Sequence, residues 1–146
     1  NGLMTMLKEG SVDITATAYD TSVTTTMTIA NTSAPTYTIS IKSSSDTITL
    51  GRSYKTMTCR FADRDGQDIT ETVIANMTTA DFVWTCFVDD VDLTNDTSFV
   101  KWLNGAEVNQ KKIKLAENNS YIGKMITIKC TVNGVTASKD LEMLTY

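Results

Sequence analysis

The feature that most constrains this chain is an internal repeat: its closing residues echo its opening ones 114 positions apart (12 against 126, 29 against 143). Val12-Asp13-Ile14-Thr15-Ala16-Thr17-Ala18 aligns with Ile126-Thr127-Ile128-Lys129-Cys130-Thr131-Val132. Carried on without a gap, the same offset sets Met27 and Ile29 against Leu141 and Met143. A glycine precedes each copy, Gly10 and Gly123, and a turn interrupts each, at Asp20-Thr21 and Asn133-Gly134. Each copy therefore reads as two strands joined by a hairpin, and the spacing is that of one β-sandwich domain. The expected organisation is a complete sandwich over residues 34–146, preceded in residues 1–33 by the closing hairpin of a similar unit and a linker; that hairpin either finishes a sandwich whose other strands lie outside this chain or packs against the complete one.

Composition agrees with a sheet-rich fold. Twenty-six of 146 residues are threonine, whose branched Cβ packs well on a pleated surface. A hydrophobic content of 41% is enough for a packed core and argues against disorder. The formal charge of -4 argues against a nucleic-acid surface, which needs clustered Lys and Arg. The nearest basic run, Lys111-Lys112 with Lys114, is short and reads as an exposed strand face. No stretch approaches the apolar length of a membrane span.

Period-two alternation supplies the strands. After the first hairpin, Asn31-Thr32-Ser33-Ala34-Pro35 reads as a linker whose proline stops the ladder. Tyr37-Ile39-Ile41 opens the next unit, and residues 42 to 47 read as polar turn material. Met57, Cys59 and Phe61 share one strand face; Phe82 to Val88 is apolar enough for a central strand. Ile69, Val73, Ile74 and Met77 fit a short helix or an irregular crossover. Asn104-Gly105 is a two-residue turn signal, and Ile113 with Leu115 forms the strand after it. Seven or eight short antiparallel strands at this spacing make a two-sheet sandwich.

Cys59, Trp84 and Cys130 stand in the order of the cysteine, tryptophan and cysteine of immunoglobulin-type sandwiches. Parity points Cys59 and Cys130 inward, and Trp84 shares a face with Cys86. A Cys59–Cys130 disulfide closing a loop of about 70 residues would contribute roughly 4 kcal/mol. The repeat argues the other way: Ala16 occupies the position of Cys130, so that site is first a core position. The expectation is a structural core containing Cys59, Trp84, Cys86 and Cys130, with the thiols reduced.

Chemistry is sparse. The chain has no histidine, the commonest general base and metal ligand, and no glycine-rich phosphate loop. No catalytic and no cofactor-binding residue is expected. Asp63, Asp65 and Asp68 around Gly66 alternate as carboxylates do in calcium loops, yet the bidentate glutamate of such a loop is missing at Asn76. The default reading is a surface turn in which Asp side chains cap backbone amides, with calcium as the alternative. Asp89-Asp90-Val91-Asp92, with Asp96, is a second acidic loop that could meet a cation or a basic partner. Tyr54, Phe99 and Trp102 are candidate partly exposed contact points, with core burial the competing reading. Asn31, Asn76, Asn95 and Asn118 begin Asn-x-Ser/Thr triplets, expected by chance in so Thr-rich a chain.

Thr56-Met57-Thr58-Cys59-Arg60-Phe61, the Asp65-Gly66-Gln67-Asp68-Ile69-Thr70 turn, Asp81-Phe82-Val83-Trp84 and Gly123 to Cys130 resemble bacterial-type immunoglobulin-like domains. In particular they are similar to those of tail, tail-tip and baseplate proteins of tailed phages and prophages of Gram-positive bacteria. The resemblance spans about residues 36 to 144. It implies a non-enzymatic virion module acting as spacer, decoration or host-surface contact. Its implied partners are other virion proteins, copies of itself through the parent protein and host cell-wall carbohydrate, with no nucleic acid and no membrane. The alternative is a carbohydrate- or protein-binding module of a bacterial surface adhesin, on the cell surface instead of the phage tail.

Overall fold

The computed structural model describes residues 10–29 and 36–146. The linker reading of Asn31 to Pro35 and the triplet at Asn31 lie outside the described residues. The chain divides into two compact units, Asn1–Ala34 and Pro35–Tyr146.

The first unit contains a hairpin of β1 (Gly10–Ala18) and β2 (Thr21–Ile29), paired from Gly10↔Ile29 to Ala18↔Thr21. Its two-residue turn is Tyr19-Asp20, one position earlier than the sequence suggested, with Tyr19 at φ 53°. Cross-strand hydroxyl pairs line it: Thr15 with Thr24 at 2.7 Å and Thr17 with Ser22 at 2.8 Å. Thr26 Oγ1 donates to Asp13 at 2.5 Å. Val23 is 67% exposed and Met27 44%.

The second unit is all-β, built as two sheets over one core. Its strands are β3 (Thr38–Lys42), β4 (Thr47–Thr49), β5 (Lys55–Ala62), β6 (Val83–Val88), β7 (Val91–Asp92), β8 (Val100–Asn104), β9 (Gln110–Leu115), β10 (Met125–Val132) and β11 (Val135–Leu144). One sheet runs β3-β5-β9-β8, the other β4-β11-β10-β6-β7. Every pairing is antiparallel except β4 with β11, which is parallel. The nine strands exceed the seven or eight read from alternation because β4 and β7, of three and two residues, are too short to show a period.

Alternation determines the core. Met57, Cys59 and Phe61 of β5 and Ile126, Ile128, Cys130 and Val132 of β10 are at most 1% exposed, while the residues between them lie on the opposite, partly exposed face. Phe61 joins the packing edge-on to Tyr37 and Phe82, with ring centroids 5.0 and 6.2 Å away, the arrangement favoured by the ring quadrupole. Between β5 and β6 the chain forms a short helix α1 (Thr70–Ile74). Thr70, only 2% exposed, accepts the Phe61 backbone N–H on Oγ1 at 3.0 Å, satisfying a donor that β5 cannot pair within its sheet.

The connection after β8 differs from the expected tight turn. β8 and β9 are joined by residues 105 to 109, and neither Asn104 nor Gly105 adopts positive φ. The loop is drawn inward by Asn109, 3% exposed, whose Nδ2 donates to Cys59 O at 2.8 Å while its own carbonyl accepts from Cys59 N at 2.9 Å. A buried asparagine making paired bonds to a strand backbone outweighs a local turn preference.

The β10–β11 hairpin matches β1–β2 pair for pair. Val132↔Val135 corresponds to Ala18↔Thr21, and Met125↔Glu142 to Ser11↔Thr28. The Thr131–Thr136 hydroxyl pair, 2.7 Å apart, occupies the place of Thr17–Ser22. Thr127 Oγ1 donates to Asp140 at 2.6 Å where Asp13 accepts from Thr26, the same bond with its ends exchanged. Asn133, at φ 49°, stands where Tyr19 stands.

Candidate functional site

The cysteines and Trp84 lie in the core. Cys59, Cys86 and Cys130 are free thiols at 0% exposure, and Trp84 is 7% exposed. Cys59 on β5 and Cys130 on β10 bridge the two sheets with a thiol–thiol hydrogen bond. That bond, with burial, pushes the Cys130 thiol far above its ordinary value. Burial, reinforced by the Asp92 charge and opposed by a bond from Thr94, pushes Cys86 up to about 12. Cys86 and Cys130, held protonated, are poor nucleophiles and poor metal ligands; the same shared bond lowers the Cys59 thiol against its burial, and all three side chains are packed in the core.

In the Asp63 to Asp68 loop, an oxygen of Asp63 and one of Asp68 are committed to backbone amides, while Asp65 enters these contacts through its backbone N–H. Asp63 Oδ1 accepts from Asp65 N and Gln67 N, both at 2.9 Å. Asp68 Oδ1 accepts from Thr70 N at 2.9 Å, and Oδ2 meets Arg60 Nη1 at 3.2 Å. The Thr70 bonds, then the Arg60 charge, hold Asp68 below the usual carboxylate range. Gly66 supplies the φ of 80° that this turn needs. Among the described residues no group of three His, Cys, Asp or Glu is placed to hold a metal. The second acidic loop is likewise engaged: Asp89 pairs with Lys124 at 2.8 Å, Asp92 caps Thr94, and Asp96 accepts from Ser98.

The aromatic candidates separate. Phe99 is 5% exposed and packs on Tyr121 with centroids 4.7 Å apart. Trp102 is half-buried, its indole N–H donating to Thr94 O at 3.1 Å. Of the three, Tyr54 alone is exposed, and it borders a further feature.

That feature is an open groove of about 810 Å³ where the β3–β4 connection, the start of β5 and the last two residues meet. Nine of its sixteen lining residues are Ser or Thr, four are Lys or Arg, and none is Asp or Glu. Lys55 Nζ reaches Ser45 Oγ at 2.7 Å and Ser44 Oγ at 3.3 Å. Burial pulls Lys55 below the usual lysine range, with Asp46 opposing and Lys139 adding to the shift. Arg52 lies 3.3 Å from the centroid of the Tyr146 ring, a cation–π contact. It is delivered there by Gly51, whose φ is 72° and whose missing side chain leaves room for Glu117: a Cβ would come within 2.6 Å of Glu117 Cγ. Asp46, between two lining residues, turns to Lys139 at 2.6 Å. The signal was present in the sequence as Lys42-Ser43-Ser44-Ser45 and Arg52-Ser53-Tyr54-Lys55, but each segment alone reads as turn material.

No protein-family model matches the chain, and no curated protein matches it. Among the described residues no helix is long and apolar enough to cross a membrane.

Proposed function

We propose that this chain is a non-enzymatic immunoglobulin-like module from a tandem array in a phage virion protein of the tail or tail-tip. There it works as a spacer, decoration or host-surface contact. The observation that carries the reading is the equivalence of β1–β2 and β10–β11 in register, turn position and cross-strand bonds. A two-stranded ribbon is marginal alone, and in the second unit the same ribbon is stable because its apolar face is covered. Residues 1–33 are accordingly the closing hairpin of a preceding unit.

The strand orders β3-β5-β9-β8 and β4-β11-β10-β6-β7 support an immunoglobulin-like topology in which the first strand is split between sheets. Trp84 on β6, beside the Cys59–Cys130 contact, supports it further. Proteomic analysis of gradient-purified particles from a lysogen carrying the gene tests the location. Peptides of this chain at a fixed stoichiometry to the tail proteins are expected. Their recovery only from the bacterial wall fraction would overturn the virion assignment.

A further inference from the structure

The groove bordered by Tyr54 combines three properties that need a common explanation. It gathers four of the chain's thirteen cationic side chains on a protein whose net charge is -4. Of those four, Arg60 makes an ion pair with Asp68; among the described residues Lys42, Arg52 and Lys55 form none, the Asp68 and Asp46 charges acting on Lys42 and Lys55 only from beyond contact. The remaining wall is hydroxyl, with Ile48 its single aliphatic residue.

An excess of cations with no carboxylate in the lining, on a hydroxyl wall, suits a ligand that carries both negative charge and many hydroxyl groups. Apolar ligands are excluded by the lining, since their sites are walled mostly by hydrophobic side chains. A nucleic acid is disfavoured because its successive bases need a run of aromatic stacking faces, and the lining has two tyrosines, one of them already stacked by Arg52. A short acidic saccharide fits. Its carboxylate or phosphate meets Lys42, Arg52 and Lys55, its hydroxyls exchange bonds with Ser43 to Ser45, and Tyr54 and Tyr146 offer amphipathic ring faces to its C–H surface. Lys55 gains most, because a bound anion offsets the desolvation of its ammonium group.

We infer that this groove is a binding site for acidic saccharide segments, with Lys42, Arg52 and Lys55 contacting the anionic groups. The inference rests on the groove alone and holds whether the module belongs to a virion or to a cell surface.

The test is an NMR titration of the ¹⁵N-labelled 146-residue chain with four probes: hexagalacturonate, pentamannose 6-phosphate, neutral maltohexaose and the oligonucleotide (dT)8. At least one acidic saccharide should shift the amides of residues 42–45 and 52–55 with a Kd of about 0.1–1 mM. Maltohexaose should bind at least about tenfold more weakly, and raising salt tenfold should weaken the acidic probe several-fold. The triple variant Lys42→Gln/Arg52→Gln/Lys55→Gln should lose at least about tenfold in affinity while its unfolding midpoint stays within the range of surface substitutions. Lys101→Gln, on the exposed part of β8, should change nothing. Absence of groove shifts with both acidic saccharides at several millimolar would overturn the inference, as would equal binding of maltohexaose or unchanged affinity in a folded triple variant. Tighter binding of (dT)8 than of either sugar acid would overturn the ligand class.

Discussion

Ile128 and Ile14 occupy the same place in the two copies of the hairpin, and shortening each to alanine separates the two environments. Ile128 is 0% exposed at the centre of β10, opposite Cys86 of β6 and Lys139 of β11. Ile128→Ala removes the three carbons beyond Cβ. At about 0.8 kcal/mol per methylene the transfer loss is about 2.4 kcal/mol, and the unfilled cavity raises the total to about 3–4 kcal/mol. For a unit of this size that corresponds to a fall in Tm of about 12 °C or more. Ile14 is only half-buried on an uncovered ribbon, so Ile14→Ala should cost less than about 0.5 kcal/mol. Both tryptophans, Trp84 and Trp102, lie in the second unit, so guanidinium unfolding followed by tryptophan fluorescence reports that unit selectively. An unchanged slope with a shifted midpoint would identify the change as one of stability. A loss above about 1.5 kcal/mol in this transition for Ile14→Ala would refute the reasoning, because the hairpin would then owe its stability to this sandwich.

Three further outcomes follow from particular residues. Thr70→Val leaves the buried Phe61 N–H without its acceptor and should cost about 1–3 kcal/mol in urea unfolding, whereas Thr70→Ser should recover most of it. Thiol titration should find no fast-reacting group in the native protein and three after denaturation, as three buried free cysteines require; one reactive thiol after denaturation would indicate a disulfide instead. Asp46, Asp68, Asp81, Asp92 and Asp96 all have carboxyls held below their ordinary value by hydrogen bonds or an ion pair. A depressed folded-state pKa contributes stability above the unfolded value of about 3.9 and loses it as pH falls through the folded value. Thermal midpoints should therefore be level from about pH 5 to 7 and drop below about pH 4; a midpoint rising on acidification would contradict these contacts.

The sheets were legible in the sequence because a face buried against another sheet writes a period of two, as in Ile126-Ile128-Cys130-Val132. The hairpin repeat was legible for the same reason, and its uninterrupted offset even corrects the first turn to Tyr19-Asp20. Asn104-Gly105 misled because a local preference for a tight turn was outweighed by Asn109, which bonds to Cys59 fifty positions away. For Phe99 the contact and core readings compete in the sequence, and the core wins because Tyr121, from the distant segment before β10, packs on its ring. The groove was not legible because its cations come from three segments separated in sequence, and only the fold brings them to one wall. No local pattern encodes that convergence.

The claim that β1–β2 closes a preceding unit is tested most directly by hydrogen exchange of the hairpin amides in the protein's full native context, compared with the 146-residue chain. If the account holds, Val23 and Met27 are covered there, and β1 and β2 amides exchange about 100-fold or more slowly than in the 146-residue chain, approaching the protection of β10 and β11. Equal, fast exchange in both settings would contradict it.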